Sequence, residues 1–151
     1  MPEFYTAVGR LSAAPTVPAT FLLVVAGATK GLLLTELDFG SHNASAIAGS
    51  EISIGRPTTS GTGGVAVTPQ PLNPNDPASI FTALSGATVF SAEPTQPAAS
   101  VYRFPLDVLQ NGIWVPQKPI YVPVNTRLAF RVEIDNSATK VQWAATATFQ
   151  E

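Results

Sequence analysis

Residues 128–135 read Leu-Ala-Phe-Arg-Val-Glu-Ile-Asp, an alternation in which every second residue from Leu128 to Ile134 is apolar. The intervening positions hold one alanine and three charged residues. Successive side chains of a β-strand point to opposite faces of the sheet. The pattern therefore predicts a strand with one face on a hydrophobic core and the other toward solvent.

The segment that follows, residues 141–150, alternates in the same way. One face carries Val141, Trp143, Ala145, Ala147 and Phe149, and the other face carries glutamine, threonine and alanine. Residues 135–137, Asp-Asn-Ser, provide turn chemistry between the two runs. We therefore expect the two strands to pair as an antiparallel hairpin, with Trp143 and Phe149 in the core.

Further apolar runs predict strands along the rest of the chain. These runs are residues 4–11, 21–25, 32–39, 51–55, 101–104, 112–115 and 120–122. A link that contains Gly27 and Gly31 separates the second run from the third, which predicts another hairpin. Pro119 and Pro123 flank the last run and place it at a sheet edge or corner, because proline cannot donate a ladder hydrogen bond.

Two segments interrupt the strand pattern. Residues 57–76 contain three glycines and several prolines, and we expect a long loop or arm there. In residues 76–86, Asp76 suits a helix N-cap, Pro77 suits the first helical position and Gly86 suits the C-terminal stop. This spacing predicts one short helix with Ile80, Phe81 and Leu84 on one face.

The fold predicted from these elements is all-β. We expect one domain over residues 1–151, an antiparallel, jelly-roll-like β-sandwich with one short helix and long Pro/Gly-rich loops. Residues 1–5 are expected to form an N-terminal arm. An immunoglobulin-like sandwich is the main alternative, although its Cys–Trp–Cys signature is absent because the chain has no cysteine.

The charge content is low. Only 12% of the residues are charged, against about 25% in a typical soluble domain. No apolar run approaches the roughly 20 residues of a membrane span, and the basic residues form no cluster that would bind nucleic acid. Residues 1–4 lack the basic and apolar regions of a signal peptide, so we expect synthesis in a cytoplasm without secretory export. A surface partly covered by protein partners accounts best for the low charge.

Residues with catalytic or metal-binding chemistry are few. The only histidine, His42, lies in a predicted loop, and no Gly-x-Ser-x-Gly elbow is present. Glu36 with Asp38, and Glu133 with Asp135, have the spacing of neighbours on one face of a strand and are interpreted as polar faces rather than ligand pairs. We therefore predict no enzymatic activity, no catalytic residue, no cofactor and no metal.

The aromatic residues offer a different kind of site. Trp143 and Phe149 belong to an apolar strand face, whereas Trp114 alternates with Ile113 and Val115 and is the better candidate for an exposed contact. Tryptophan is enriched both at protein interfaces and at sugar-stacking sites. The sequence favours a protein interface and leaves a sugar platform as the alternative.

Two parts of the chain resemble small structural proteins of tailed bacteriophages. One is the proline-rich centre, residues 62–72 followed by Asp76-Pro77-Ala78; the other is the ending, in which residues 114–116 and 121–123 lead into residues 128–132. Within that group, the size and β pattern are most similar to capsid decoration, or cement, proteins. The resemblance implies a jelly roll, a homotrimer on the outer capsid surface and arms that clamp neighbouring subunits of the major capsid protein.

We accordingly expect a virion protein whose partners are the major capsid protein and further copies of itself, with neither nucleic acid nor membrane bound. The candidate interface residues are Phe4, Tyr5, Val65, Val67, Pro69, Pro71, Leu72 and Trp114. A phage tail or fibre component with a carbohydrate-binding β-sandwich is the first alternative. A small jelly-roll enzyme of the cupin kind is the weaker one, because cupins use several metal-binding histidines.

Overall fold

The fold was analysed in a computed structural model that describes residues 2–11, 18–42, 50–86, 90–106, 112–134 and 142–151. These residues form twelve β-strands and no helix, and therefore include no helix that could cross a membrane. The strands are β1 (Phe4–Leu11), β2 (Ala19–Val25), β3 (Leu32–His42), β4 (Ser50–Gly55), β5 (Val65–Val67), β6 (Gln70–Pro71), β7 (Thr82–Ser85), β8 (Tyr102–Leu106), β9 (Gly112–Trp114), β10 (Ile120–Val122), β11 (Arg127–Ile134) and β12 (Gln142–Gln150).

The strands form two antiparallel sheets that pack as a β-sandwich. The first sheet has the order β10-β3-β12-β1-β6, with β9 also paired to β3, and the second has the order β5-β7-β2-β11-β4-β8. Outside residues 56–101, the strands pair from the two ends of the chain inward. The first strand, β1, pairs with the last, β12, and β2 pairs with β11. Further inward, β3 pairs with β9 and β10, and β4 pairs with β8. This nested pairing is a jelly roll, as predicted.

The core lies between the sheets and follows the period-two pattern of the sequence. Trp143 and Phe149 are fully buried, which confirms their predicted place on the inner face of β12. In the other sheet, Phe130 of β11 packs against Phe21 of the adjacent strand β2, with ring centroids 6.3 Å apart. The strands therefore meet through alternating large apolar side chains, the usual construction of a two-sheet core.

Residues 56–101 form a long insertion between β4 and β8. Its strands extend both sheets on the same side of the sandwich, because β7 pairs with β2 while β6 pairs with β1. Phe81 is buried against Tyr5 and Phe149 at this side. The insertion thus closes one open side of the sandwich, and the loop predicted at residues 57–76 contains two short strands, β5 and β6.

The two predicted hairpins are wrong. β2 and β3 lie in different sheets, and so do β11 and β12. In a jelly roll, consecutive strands cross from one sheet to the other, and each partner is distant in the sequence. Alternation predicts which face of a strand is buried but does not specify the neighbouring strand.

The predicted helix over residues 76–86 is also wrong. The segment instead enters β7, where Phe81, Ala83 and Ser85 are buried and the intervening residues are more exposed. Asp76 closes a turn rather than capping a helix, since its backbone N–H donates to the carbonyl of Asn73 (3.0 Å). The pairing with β2 and the burial of Phe81 outweigh the local capping signals, because tertiary contacts override weak helix propensity.

The outer face of β11 is buried rather than solvated. Ala129 is completely buried with Leu23 beneath Phe90 of the insertion, and Arg131 is only 9% exposed. Arg131 pairs in register with Thr20 and Ser53 on the two flanking strands. The sequence of β11 reads as half-exposed because the covering segment lies far away along the chain. The predicted turn at residues 135–137 lies outside the described residues.

Candidate interaction surface

Three aromatic rings line the side of the sandwich opposite β6 and β7, two strands of the insertion. Tyr102 and Phe104 belong to β8, the edge strand of one sheet, and Trp114 belongs to β9 at the edge of the other. The ring centroid of Trp114 is 4.8 Å from those of both Tyr102 and Phe104. Phe39 continues the contact into the core, with its centroid 5.8 Å from that of Phe104. The cluster therefore joins the two sheets at this side.

Register explains why these rings face inward. Trp114 pairs with Leu37, and Tyr102 pairs with Ile54; both partners are core residues. Trp114 is therefore half-buried, while its neighbours Ile113 and Val115 are 70% and 62% exposed. The sequence predicts this alternation correctly but the exposed side chain wrongly: Ile113 and Val115 point outward, and Trp114 points inward.

A groove opens over this cluster, with a volume of about 640 Å³. Tyr102, 46% exposed, and the inward-facing Trp114 and Ile120 form its apolar interior. The rest of the rim is formed by Val101, Val115, Pro116, Gln117 and Lys118. Apart from the Tyr102 hydroxyl and the Trp114 ring nitrogen, the polar side-chain groups of the lining are one amide and one ammonium. The groove can therefore bind by apolar burial, ring stacking and a few hydrogen bonds.

Exposed apolar side chains are concentrated in the part of the chain that forms the groove. Of the ten large hydrophobic side chains exposed among the described residues, six lie between residues 101 and 124. We call these six the edge surface: Val101, Tyr102, Ile113, Val115, Tyr121 and Val124. Groups of exposed apolar side chains, such as Val101, Tyr102 and Val115 around the groove, are typical of binding sites, whereas isolated ones are common on any protein surface.

Short strands and prolines hold the edge surface in place. β9 and β10 both pair with β3 alone and are bounded by Pro116, Pro119 and Pro123, which confirms their predicted place at a sheet edge. A guanidinium N–H of Arg56 donates to the carbonyl of Tyr121 (2.7 Å). The Tyr121 ring lies over Gly31, where an added Cβ would approach the ring to 2.7 Å. Strand pairing with β3 and the hydrogen bond from Arg56 therefore hold the backbone of β9 and β10 in place.

The structure separates the interface residues predicted from the sequence. Tyr5 and Pro69 are buried, and Val67 packs against the core, so none of the three offers an open contact surface. Phe4 lies in β1 rather than in an arm. Four predicted residues retain exposed surface near the insertion: Phe4 and Pro71, which are half-buried, and Val65 and Leu72, which are exposed. Trp114 lies at the opposite side of the sandwich.

Phe4 and Leu72 flank a shallow hollow on the outer face of the first sheet. Thr6, Thr35, Thr146 and Thr148 line it together with Glu36 and Asp38. Both carboxylates are exposed, which confirms the interpretation of this pair as a polar strand face. Within the described part of the chain, no group of three or more His, Asp or Glu side chains is arranged to hold a metal ion. His42 lies at the end of β3 rather than in a loop.

Acidic groups gather where the insertion meets the chain ends. The hydroxyl of the buried Tyr5 donates to the carbonyl of Pro77 (3.1 Å) and to the Glu3 carboxylate (3.3 Å). Burial raises the pKa of Tyr5 to about 12, and the charges of Glu3, Glu151 and Asp76 act in the same direction. The Lys30 ammonium lies 3.5 Å from Glu3. This end of the molecule therefore carries three carboxylates and one lysine around a neutral phenol.

Sequence reasoning missed most of the edge surface. Tyr102, Val115 and Tyr121 occur in short runs between prolines, and such runs predict edge strands without indicating which side chains point outward. One signal in the sequence does indicate this surface: residues 101–124 are rich in apolar residues, yet prolines interrupt them too often for a central strand. No protein family, curated protein or solved structure compared with this chain matches it. Its function must therefore be inferred from the chemistry of its own surface.

Proposed function

We propose that this chain is a virion structural protein, a capsid decoration protein that binds the outer surface of the major capsid lattice and stabilises it. The observation that carries the proposal is the edge surface, which holds six of the ten large apolar side chains exposed among the described residues. Three of the six line the groove, and the other three lie outside its lining. Burying such side chains against a partner releases about 25 cal/mol for each Å² of apolar surface removed from water. The surface is thus suited to lasting contact with another protein.

The composition supports the same proposal. With 18 charged residues among 151, few charges would have to be desolvated when neighbouring subunits cover the surface. The cores of protein interfaces are depleted in charged residues and enriched in aromatic ones. Among the described residues that line the groove, Lys118 is the only charged one, and Arg103 of the edge strand β8 is paired with Glu51 of β4.

The fold is compatible with this role but does not determine it. Jelly rolls occur in viral capsid domains, in lectins and in cupins. A fold hosts many functions, so the assignment depends on the surface and on the resemblance to structural proteins of tailed phages. That resemblance is carried by residues 62–72, 76–78, 114–116, 121–123 and 128–132, and the size and β pattern are most similar to decoration proteins. A decoration protein also gains strength from multivalency, because several weak contacts made by one oligomer act at high effective concentration.

The experiment uses empty shells assembled from the major capsid protein encoded in the same genome. The purified chain should sediment with these shells and raise the temperature at which they dissociate. Ile113→Asp should weaken this binding, because Ile113 is the most exposed member of the edge surface and does not line the groove. Val8→Asp is the matched control, since Val8 is also an exposed strand residue on the outer face of the same sheet.

Two results would count against the proposal. A chain that never sediments with shells would overturn the decoration role itself. Equal binding by Ile113→Asp and the wild type would instead remove the edge surface from the contact.

A carbohydrate-binding role on a tail or fibre is the second candidate. The half-exposed Tyr102 ring beside Trp114 favours it, because aromatic faces stack on sugars as well as on proteins. This function predicts glycan-array binding that is lost in Trp114→Ala. Binding that survives the substitution would exclude the groove, and an array without any signal would exclude the function.

A further inference from the structure

We infer that the groove receives a second copy of this chain, through the turn at residues 72–77, so that copies associate head to tail. We call this turn the knob. The inference rests on the proposed function, which includes self-association, and it assigns the groove and the knob as the two surfaces that meet. The two open sides of the sandwich suggest it: the insertion fills one with Phe81, while on the other the groove remains open.

The knob is a rigid projection. The backbone N–H of Asp76 donates to the carbonyl of Asn73 (3.0 Å), and the Asn73 side chain bonds both to the backbone N–H of Asn75 (3.1 Å) and to the Asp76 carboxylate (3.0 Å). Pro74 occupies the second position of this turn, where its fixed φ is favourable. A preformed turn loses little conformational entropy on binding, which favours affinity.

The knob exposes three apolar side chains beside its asparagines. Leu72 is 60% exposed, and Pro74 and Pro77 are exposed as well. Tyr102 and Trp114 offer aromatic surface in the groove against which such apolar side chains can pack. The groove and the knob therefore match in the chemistry of their surfaces.

The charges beside the two surfaces are complementary. Asp76 on the knob lies near Glu3 and Glu151, with Lys30 the one cation placed against them. The groove rim carries Lys118, and Arg103 on β8 is paired with Glu51. The carboxylates beside the knob and the single lysine on the rim favour one orientation of the contact.

A molecule cannot fill its own groove. The knob is fixed to the β1 side of the first sheet, where the backbone N–H of Leu72 donates to the carbonyl of Phe4 (2.8 Å). The groove lies beyond β3 in the same sheet, four strand spacings or about 19 Å away. Because knob and groove lie on opposite sides of one molecule, the contact is heterologous, and its repetition closes a ring when the rotation between copies allows it.

The test uses two exposed substitutions. Val115→Asp disables the groove and Leu72→Asp disables the knob, and both side chains are more than half exposed, so neither change should unfold the chain. In analytical ultracentrifugation the wild type should form a closed oligomer. Each variant alone should show self-association weakened about tenfold or more, the loss expected for a contact worth at least 1.4 kcal/mol. Val8→Asp should associate like the wild type.

Mixing the two variants provides the sharpest outcome. The intact knob of Val115→Asp can still enter the intact groove of Leu72→Asp, so the mixture should form a one-to-one heterodimer. A mixture that remains monomeric while the wild type oligomerises would overturn the head-to-tail contact. A wild type that is monomeric at every concentration tested would overturn the inference as well. A glycan bound in the groove of a monomeric wild type would do the same.

Shell binding distinguishes this inference from the proposed function. A monomeric wild type that still sediments with shells would overturn only the knob-and-groove contact. A wild-type ring whose variants behave as described, but which never binds shells, would confirm the contact and overturn the decoration role.

Discussion

Tyr5 and Phe81 meet edge to face, with ring centroids 6.0 Å apart and ring planes at 86°. Tyr5 belongs to β1 of the sandwich, and Phe81 belongs to the insertion. Phe81 also contacts Phe149 of β12, with centroids 5.4 Å apart. The contact makes the insertion part of the core rather than an appendage, and it holds the segment that carries the knob.

Phe81→Ala should reduce the free energy of unfolding by about 3–5 kcal/mol, because it removes a buried ring and leaves a cavity. Urea denaturation measures this change. Ile80→Ala is the control, since Ile80 is adjacent but 40% exposed and should cost about 1 kcal/mol or less. A cost below about 1 kcal/mol for Phe81→Ala would show that the insertion packs independently of the sandwich.

Stability should fall at high pH because of Tyr5. Its pKa is about 12 in the folded chain and about 10 in the unfolded chain, so the neutral phenol stabilises the fold. This contribution is complete below pH 10 and is lost as the pH rises toward 12. Tyr5→Phe should lack this part of the decline and should cost about 1 kcal/mol at neutral pH, through loss of the hydrogen bond to Pro77.

Denaturation curves of both proteins across that pH range test this prediction. The tyrosinate absorbance of the folded wild type should include one transition near pH 12 that Tyr5→Phe lacks. Parallel stability curves for the two proteins would contradict the assignment.

Gly9→Ala should destabilise the fold by about 1–3 kcal/mol through overcrowding. An added Cβ at Gly9 would overlap the carbonyl of Phe21 and approach the Cβ of Leu22 to 2.5 Å, where β1 passes close to β2 of the other sheet. Gly112→Ala should cost less, because its Cβ would meet only the ring edge of Phe39, at 3.1 Å. Thermal unfolding of the two variants gives the comparison, and equal effects would exclude close packing as the cause.

The buried ion pair on β11 should be costly to break and inexpensive to replace. Glu133 lies 3.6 Å from the Arg131 guanidinium and accepts a hydrogen bond from the Ser53 hydroxyl. Glu133→Leu leaves Arg131 charged and buried and should cost about 3 kcal/mol. The double variant Arg131→Met/Glu133→Leu should recover most of that loss in chemical denaturation. A double variant no more stable than Glu133→Leu would contradict this account.

The strand positions could be predicted from the sequence because burial imposes a period of two. The predicted bounds of β1 and β10 match the structure, and the other predicted strands differ by at most three residues at either end. The strand partners could not be predicted, since the same alternation suits any neighbour with an apolar face. In the insertion, the sequence does not reveal β5 and β6 because Gly63, Gly64 and Pro71 lie in or beside their short runs, and capping signals at Asp76 and Gly86 predict a helix in place of β7.

The sequence predicts the type of candidate site, a surface covered by protein, but not most of the residues that form it. Low charge indicates a covered surface, and two predicted contact residues lie at the proposed surfaces, Leu72 on the knob and Trp114 in the groove. Tyr5 was chosen as an arm residue because its pairing with Phe149 is not visible in the sequence. Ile113 and Val115 were overlooked because the outward face of a three-residue edge strand depends on its register with β3.

Amide hydrogen exchange of the chain, free and bound to capsid shells, tests the central claim most directly. The account predicts that shell binding slows exchange in residues 112–124, which carry most of the edge surface, and leaves residues 62–68 at the far side of the insertion unchanged. Unchanged exchange in residues 112–124 of the bound chain would contradict it.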